Sequence, residues 1–393
     1  MTTRRRFLAS GAAALALPVL DAFALDGATA APGRLVVVFL RGGLDGLFAL
    51  SPIADPHLAE RRPSLAQSVL ADGIRLGDTG FAAHPSCKAL ADLFAARELS
   101  FAPCAGTTDA SRSHFQAQDL FELGSGASHG GSGFMARAAQ AIGAGRGAIS
   151  FTREVPLAFH GSDIALEVAP LTGSGLKLPE GRVLEAIRAA HRDSPTGKAL
   201  EQAIATEAEL EASMAAPGME AQAARGAPAA TGFARVAAGM GRMLRGNPRH
   251  ALAFVDLGGL DTHANQEAAL ARALNEIGQG LLAFKESLGE AEWRRTRVVM
   301  MSEFGRTVRE NGTRGTDHGR GGLFLLAGGS GRGGRMIGGF DGLADRALND
   351  NRDLPVLADW RALIGACMRD GYGLSERALD RIFPGRPRQR IEV

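Results

Sequence analysis

The segment that decides the fold is Thr296–Gly322, TRVVMMSEFGRTVRENGTRGTDHGRGG. Its apolar run VVMM predicts a buried strand, which ends where polar side chains return at Glu303. Buried parallel strands present their functional groups at such carboxyl-terminal ends. A second apolar run, LFLLA, follows the segment, and Asp317 and His318 stand shortly before it. We therefore expect carboxylates and an imidazole to meet at one edge of a sheet, in a metal or phosphate site.

A simpler interpretation of the same segment stays open. Glu303 would form an ion pair with Arg306 or Arg309, and Asp317 and His318 would only shape a turn. Similar polar clusters elsewhere in the chain favour the functional interpretation.

Two of these clusters also follow predicted strands. RLVVVFL at 34–40 leads into glycines that flank Asp45, and ALAFVDL at 251–257 leads towards Asp261 and His263. Glycines let a backbone approach a ligand closely. Asp261 and His263 stand two residues apart in a loop, so both can face one metal ion. The alternatives are an ordinary turn at Asp45 and a helix-capping Asp261 beside a surface histidine.

The stretch Thr107–Gly124, TTDASRSHFQAQDLFELG, predicts a helix with hydroxyls and an arginine at its start. Ser113 is expected at the N-cap, where free backbone N–H groups and the helix dipole favour an anion. Ser113 therefore has two compatible roles, cap and nucleophile. Ser111 and Thr108 are the other candidate nucleophiles, and Arg112 is a candidate clamp for an anion.

Composition limits the classes of function. The chain has 393 residues, of which 45% are hydrophobic, enough for one large α/β domain or two smaller ones. Lys+Arg number 44 and Asp+Glu 42, a net charge of +2 that argues against nucleic-acid binding.

The N-terminal residues indicate export. Thr3–Leu8, TRRRFL, is followed by the modest apolar run GAAALALPVL, and together they resemble a twin-arginine (Tat) signal. Cleavage would follow Ala28–Ala30 or Ala22–Ala24. The apolar run is short for a bilayer span, so we expect no integral membrane span in the mature protein. Residues 1–30 are interpreted as a signal peptide, with the Tat translocase as partner and a periplasmic or secreted location.

The three cysteines do not indicate a metal site. Cys87, Cys104 and Cys367 lack the spacing of metal ligands. Either Cys87 and Cys104 form a disulfide, or all three are buried free thiols.

Strands alternate with helices along the chain, which predicts a three-layer α/β sandwich with a mainly parallel central sheet. Residues 31–393 are interpreted as one domain with an alanine-rich helical insertion near 181–246. Further strands are predicted at 148–152 and 155–160, and an edge hairpin at the RGGRMIGG stretch. Rossmann and Walker spacings are absent from the sequence.

Five motifs occur in order behind the leader: FLRGGLDGL, SRSHFQAQD, DLGGLDTHANQ, SEFGRT and TDHGRGG. Together they closely resemble the bacterial family called domain of unknown function 1501, over nearly the whole mature chain. More remotely, their order resembles the alkaline phosphatase and sulfatase superfamily. That resemblance implies an alkaline phosphatase-like fold, divalent metal ions and hydrolysis of phosphate or sulfate esters.

The superfamily resemblance also implies roles for single residues. It places Ser113 at the nucleophile position. The implied metal ligands are the first-strand aspartate, the mid-chain pair, the second carboxylate and the late histidine: Asp45, Asp261, His263, Glu303 and His318. Asp317, next to His318, is a further candidate ligand. The candidate substrate contacts surround the nucleophile and the second carboxylate: Arg112, His114, Gln116 and Arg306.

The chain departs from the superfamily pattern at one ligand position. Where the superfamily commonly has Asp-His or Asp-Asn, this sequence reads Glu303-Phe304, so one metal site lacks a ligand. The leading hypothesis is an exported hydrolase of phosphate or sulfate esters that depends on Zn, Mn, Mg or Ca. The alternative is a non-catalytic periplasmic binding or assembly protein that retains the fold.

Overall fold

A computed structural model describes residues 33–107, 109–143, 146–152, 154–161, 164–169, 182–191, 194, 197, 201, 232–330 and 332–393. The strands are β1 (Arg34–Leu40), β2 (Leu50–Ser51), β3 (Ile74–Arg75), β4 (Ala82–Ala83), β5 (Leu99–Gly106), β6 (Gly147–Ser150), β7 (Leu166–Val168), β8 (His250–Leu257), β9 (Thr296–Met301), β10 (Gly322–Ala327) and β11 (Ala358–Asp359). Eight of them form the main sheet in the order β11-β5-β10-β9-β1-β8-β6-β7, and β2, β4 and β3 form a small second sheet.

Twelve α-helices are described. They are α1 (Gly46–Ala49), α2 (Leu58–Arg61), α3 (Gln67–Asp72), α4 (Lys88–Ala95), α5 (His114–Leu123), α6 (Phe134–Ile142), α7 (Arg182–His191), α8 (Phe233–Gly246), α9 (Gln266–Leu288), α10 (Glu290–Arg294), α11 (Trp360–Tyr372) and α12 (Glu376–Ile382). Short 3-10 turns occupy Pro85–Cys87, Leu157–Phe159 and Asp345–Ala347.

The main sheet is mainly parallel, as predicted. β1 pairs in parallel with β8 and β9, β8 with β6, β6 with β7, and β11 with β5. Only β10 is reversed among the described strands of this sheet, since it runs antiparallel to both β9 and β5. The start of β10 therefore lies at the same edge as the carboxyl ends of its neighbours.

Apolar side chains cover both faces of the sheet. Alternate residues of β1 divide between two core clusters, with Val36, Val38 and Leu40 on one face and Leu35 and Val37 on the other. Helices α4, α8 and α9 contribute to the first cluster, and α5, α6, α11 and α12 to the second. A sheet buried on both faces reads as a continuous apolar run, which is why RLVVVFL shows no alternation.

Two predicted elements are wrong. Residues 155–160 do not form a strand, because Pro156 leads into the 3-10 turn Leu157–Phe159. The RGGRMIGG stretch forms no hairpin in its described residues. It lies beside β5, where Met336 makes an isolated parallel bridge with Phe101.

Of the remaining expectations, the structure tests the one about the cysteines, whereas the leader and most of the insertion lie outside the described residues. Cys87, Cys104 and Cys367 are free and buried, so no disulfide joins the first two, and burial raises the pKa of each thiol to about 12. Residues 1–30 lie outside the described residues, as does most of the 181–246 insertion apart from α7 and α8. Among the described helices, none combines the length and apolar character needed to cross a membrane.

A buried ion pair joins Asp45, in the segment after β1, to Arg62, in the segment after α2. Asp45 is 1% exposed, and its Oδ2 accepts from Arg62 Nη1 at 2.7 Å and from Gln266 Nε2 at 2.6 Å. Arg62, also 1% exposed, donates to the carbonyls of Thr307 and Val308. These bonds join β1, α9 and the segment after β9, the three elements that surround the site described below.

We predict that Asp45→Ala lowers the free energy of unfolding by about 3–5 kcal/mol, because it leaves the Arg62 guanidinium buried without its carboxylate. Urea unfolding followed by circular dichroism measures the change. Asp92→Ala is the matched control: Asp92 pairs with Lys88 on the surface at 2.6 Å, and its loss should cost less than about 1 kcal/mol. Equal, small effects of the two substitutions would contradict the structural importance of the Asp45–Arg62 pair.

Candidate metal centre

Polar side chains converge at the carboxyl edge of the parallel strands. Asp261 and His263 lie in the loop after β8, and Glu303 and Arg306 follow β9. His318 comes from the segment before β10 and forms an isolated antiparallel bridge with Arg306. The reversed direction of β10 is what carries His318 to this edge.

His114, the first residue of α5, completes the cluster. Its Nε2 lies 3.2 Å from Asp261 Oδ2, and its ring centroid lies 4.4 Å from that of His318. One ligand atom from each of His114, Asp261 and His318 fits within a mutual distance of 4.8 Å. The sequence analysis had treated His114 as a substrate contact. Its position directly after the candidate nucleophile Ser113, in a helical first turn, was the signal that could have indicated a ligand.

His263 lies beside the same carboxylate, that of Asp261. Its Nε2 lies 2.9 Å from Asp261 Oδ1 and 3.0 Å from His318 Nε2, while His318 Nε2 lies 3.3 Å from the same Asp261 oxygen. Three imidazole nitrogens therefore lie around one carboxylate, and those of His114 and His318 together with Asp261 have the spacing of a metal site. Asp261 and His263 are 45% and 43% exposed in their side chains, so the cluster is open to solvent.

Each imidazole has an oxygen acceptor at its other nitrogen. His114 Nδ1 lies 2.8 Å from Glu303 Oε1, His318 Nδ1 2.9 Å from the Arg112 carbonyl, and His263 Nδ1 3.5 Å from Asp317 Oδ1. A carbonyl or an ionised carboxylate can only accept a hydrogen bond, so Nδ1 of His114 and of His318 carries the proton. In the neutral rings Nε2 then holds a lone pair directed at Asp261, as in metal-binding histidines.

Glu303 fixes the orientation of His114. It is 1% exposed and accepts from the backbone N–H groups of Gly42 and Gly43, from Ser302 Oγ and from Gln118 Nε2. Burial alone would raise the pKa of Glu303, but the hydrogen bonds from Gln118, His114 and Gly42 outweigh it and lower that pKa. The carboxylate is therefore ionised and accepts hydrogen bonds from several groups. Because its position is fixed in this way, it holds the His114 ring in place.

Arg306 supplies a fixed positive charge beside Asp261. Its side chain is fully buried, and it donates to Asp261 Oδ1 at 2.6 Å and to the carbonyls of Gly43 and Thr316. Burial would raise the pKa of Asp261, but the hydrogen bond and charge of Arg306, with smaller effects from His318 and His263, lower it to about 2. Asp261 is thus ionised under all ordinary conditions.

One imidazole nitrogen of the cluster has no hydrogen-bond partner among the described residues. His114 Nε2 is buried and makes no hydrogen bond, since its 3.2 Å approach to Asp261 lacks hydrogen-bond geometry. Burial lowers the pKa of His318 and outweighs the hydrogen bonds with the Arg112 carbonyl and Asp261 that would raise it, which favours the neutral ring. With the proton on Nδ1, the Nε2 lone pairs of His114 and His318 repel the nearby ionised carboxylate unless a cation lies between them. The residues present therefore fit a divalent metal.

Phe304 has a packing role at the position where the superfamily pattern has a ligand. It is 6% exposed, and its ring centroid lies 4.9 Å from that of His114 and 4.6 Å from that of His318. A side chain that packs on both rings restricts their rotation. The Phe at this position therefore supports the rings of His114 and His318.

Close backbone contacts hold the loops of the site together. Gly42 has φ +117°, and a Cβ there would lie 2.5 Å from the backbone nitrogen of Asp261. A Cβ on Gly315 would lie 2.2 Å from the His263 carbonyl oxygen. Glycine at these two positions lets the β1 and β9–β10 connections contact the loop that carries Asp261 and His263.

Other candidate residues lie around this cluster and not within it. The Asp45 carboxylate is bonded to Arg62 and Gln266. Ser113 is the N-cap of α5 but makes no side-chain capping bond, whereas Ser111 Oγ donates to Asp109 at 2.6 Å. Thr108 lies outside the described residues.

The remaining candidate residues differ in their exposure and in their hydrogen-bond partners. Arg112 has a left-handed backbone (φ +53°), and its Nη2 lies 3.2 Å from Asp353 Oδ1. Gln116 is exposed on α5. Asp317 is 54% exposed, and besides facing His263 it accepts from Asn311 at 3.4 Å. Ser113, Ser111, Arg112 and Gln116 as substrate or catalytic groups, and Asp45 as a metal ligand, stay predictions.

Several solved structures are similar to this chain. One is a protein of the alkaline phosphatase superfamily from Vibrio parahaemolyticus, with a TM-score of 0.36 and 10% identity over 76% of this chain and 60% of that one. Another is the lipoteichoic acid synthase LtaP from Listeria monocytogenes, with a TM-score of 0.40 and 8% identity over 88% and 72%. A third is the phosphonate monoester hydrolase of Agrobacterium radiobacter, with a TM-score of 0.38 and 10% identity over 91% and 78%.

At 8–10% identity and TM-scores of 0.36–0.40, the activities of these proteins do not transfer to this chain. The chain spans 60% of the length of the Vibrio protein. Curated proteins include no significant match to the sequence.

A family model gives a direct result for the sequence itself. The model described as "Protein of unknown function (DUF1501)" matches residues 102–383, a span that includes α5, β8, β9, β10 and every side chain of the cluster. Because the match covers well over half of the chain, this protein belongs to the DUF1501 family.

Proposed function

We propose that this protein is a metal-dependent hydrolase of phosphate or sulfate esters. The observation that carries the proposal is the convergence of three imidazole Nε2 atoms on the ionised carboxylate of Asp261. His114, His263, His318 and Asp261 would hold the ion. Three imidazoles with one carboxylate suit Zn best among the divalent ions considered, Zn, Mn, Mg and Ca.

A bound divalent ion would supply Lewis-acid polarisation of an ester oxygen. The chain's own residues favour an anionic substrate at this point. Arg306 places a buried guanidinium next to Asp261, and the amino end of α5 begins at His114, where backbone N–H groups and the helix dipole attract anions. Phosphate and sulfate monoesters present such charged oxygens.

Ser113 is the proposed nucleophile. It directly precedes the ligand His114, and its side chain is not used to cap α5. Attack of its oxygen on phosphorus or sulfur would expel the alcohol of the ester and leave the acid group on Ser113 for transfer to water. Ser111 is less suitable, because its hydroxyl already donates to Asp109.

We further propose that the enzyme works outside the cytoplasm, after export by the Tat route. The twin arginines at Arg4 and Arg5 and the apolar run that follows them support this location. Cell fractionation of an Arg4→Lys, Arg5→Lys variant tests it, because a Tat substrate should then stay in the cytoplasm. Unchanged export of the variant would remove the proposal.

The metal proposal predicts near-stoichiometric metal in the purified protein and its loss from His114→Ala, Asp261→Ala and His318→Ala. Elemental analysis after loading with Zn or Mn measures the metal content. His160→Ala is the matched control, since His160 is exposed and its ring lies only near the Val155 carbonyl at 3.2 Å. Equal metal content in all variants would show that these residues do not form the site.

The orienting role of Glu303 gives a second prediction. Glu303→Gln keeps the size of the side chain but removes the charge that orients His114, so we expect metal affinity to fall about 10–100-fold. Competition with a chromogenic chelator measures the affinity, and circular dichroism confirms that the variant is folded. Glu60→Gln, on a side chain 66% exposed, should bind metal like the unmodified chain. An unchanged affinity in Glu303→Gln would contradict the assignment of His114 as an oriented ligand.

The reaction itself is tested with nitrophenyl phosphate and nitrophenyl sulfate on the metal-loaded protein. We expect Ser113→Ala to lower kcat by roughly a hundredfold or more while metal content is unchanged, because it removes the nucleophile. Ser111→Ala should retain most of the activity. Turnover that is independent of metal and of both serines would exclude this mechanism. Stoichiometric metal with no turnover of any ester would favour the binding or assembly protein considered in the sequence analysis.

A further inference from the structure

A second concave region lies at the other edge of the main sheet. It is a cleft of about 770 Å³, formed by the α4–β5 connection, the segment after β10, the end of α11 and residues 386–393. Gly33, just before β1, donates to the Gly371 carbonyl at this edge, and Gly333 donates to the Arg97 carbonyl just before β5. Because β1 has seven residues, the cleft lies about 20 Å from the candidate metal centre along the strands.

The cleft carries an excess of positive charge. Seven arginines line it, against the three carboxylates of Asp370, Glu376 and Glu392. Within the described part of the chain, Arg97, Arg335 and Arg390 have no carboxylate within salt-bridge distance. Like charges gathered in one cleft repel one another, and an anion placed between them would relieve that repulsion.

Two of the three carboxylates are paired with arginines. Glu376 pairs with Arg386, with Arg369 at 3.5 Å and with Arg388 at 3.6 Å, and Asp370 pairs with Arg332 at 3.6 Å and with Arg369 at 3.5 Å. Among the described residues that line the cleft, Glu392 is then the acidic side chain without an arginine within salt-bridge distance, against the three arginines Arg97, Arg335 and Arg390. The positive surplus is thus a property of the folded cleft.

Backbone hydrogen bonding fixes the part of the cleft that contains Arg97 and Arg335. Arg97 has a left-handed conformation (φ +60°), and its carbonyl accepts from Gly333 at 2.9 Å. Arg335 Nε donates to the Arg332 carbonyl at 2.9 Å, which directs part of its guanidinium while its remaining N–H groups stay available. A non-glycine residue held at positive φ is uncommon, and here it presents an unpaired arginine to the cleft.

We propose that this cleft binds a soluble ligand with two or more phosphate or sulfate groups. Guanidinium groups bind such oxyanions through paired N–H donors, with more geometric specificity than lysine. The volume is in the range of small-molecule sites. The unpaired arginines Arg97, Arg335 and Arg390 come from three separate segments of the chain, which suits a ligand with several charged groups better than a single small anion. The site is independent of the metal centre and of the activity proposed for it.

The test uses inorganic tripolyphosphate as probe and isothermal titration calorimetry of the full chain in the presence of a chelator. The cleft variant is Arg97→Gln, Arg335→Gln, Arg390→Gln. Its matched control is Arg75→Gln, Arg272→Gln, Arg346→Gln, which removes the same charge from exposed positions outside the cleft. We expect the cleft variant to bind at least roughly tenfold more weakly, because charge-assisted hydrogen bonds are lost. The control variant should bind as the unmodified chain does.

Further binding measurements identify the kind of ligand that the cleft binds. Orthophosphate should bind at least roughly tenfold more weakly than tripolyphosphate if several arginines act together. The proposal is overturned by absence of binding or by equal weakening in both arginine variants. Binding to phosphatidylglycerol vesicles without binding to tripolyphosphate would also overturn it and would indicate a membrane surface as the ligand.

Discussion

The bonds of the Glu303 carboxylate hold the candidate centre together. This single buried group accepts from the backbone after β1, from Gln118 and His114 on α5, and from Ser302 at its own strand end. A carboxylate in such a setting is stable only if every lone pair is satisfied. The position of α5 relative to the sheet is therefore coupled to the charge state of one side chain. His114 is directed at Asp261 as a result.

Charge is distributed unevenly around the centre. Asp261 is shared among Arg306, His263 and His318 through Oδ1, while Oδ2 faces His114 alone among the charged side chains of the described residues. Arg306 neutralises part of the carboxylate before any metal binds, which weakens the attraction for a cation. Under the proposed function, the same guanidinium would attract an anionic ester. The site would then have a lower metal affinity and a preference for negatively charged substrates.

The sequence predicted the strands and helices better than it predicted the contacts between side chains. The strands at 34–40 and 251–257 and the α5 start after Ser113 were found from apolar runs and capping signals, because these depend on neighbouring residues. The turn at Leu157–Phe159 was missed, since a short apolar run beside a proline has the same pattern as a strand. The reversed direction of β10 was not predictable either, because strand order and direction are set by long-range packing.

Side-chain partners were harder still to predict. The pairing of Asp45 with Arg62 and Gln266 joins residues that no spacing rule connects. His114 was recognised as functional but not as a candidate ligand, because its three partners Asp261, Glu303 and His318 come from the β8 loop, the β9 end and the segment before β10. Phe304 was noted as a departure from a pattern, and only the structure shows that its ring packs on His114 and His318.

The antiparallel pairing of β9 and β10 has a consequence for how the centre forms during folding. Glu303, Arg306 and His318 all lie in the connection between two adjacent paired strands. Closing the connection at 302–321 costs less chain entropy than bringing in Asp261 and His114, which lie farther away along the chain. We expect half of the centre to become ordered with the β9–β10 pair, a sequence of events that pulsed hydrogen exchange would resolve. The α5 and β8 segments would then dock onto a preformed carboxylate and guanidinium, so metal capture would be a late step.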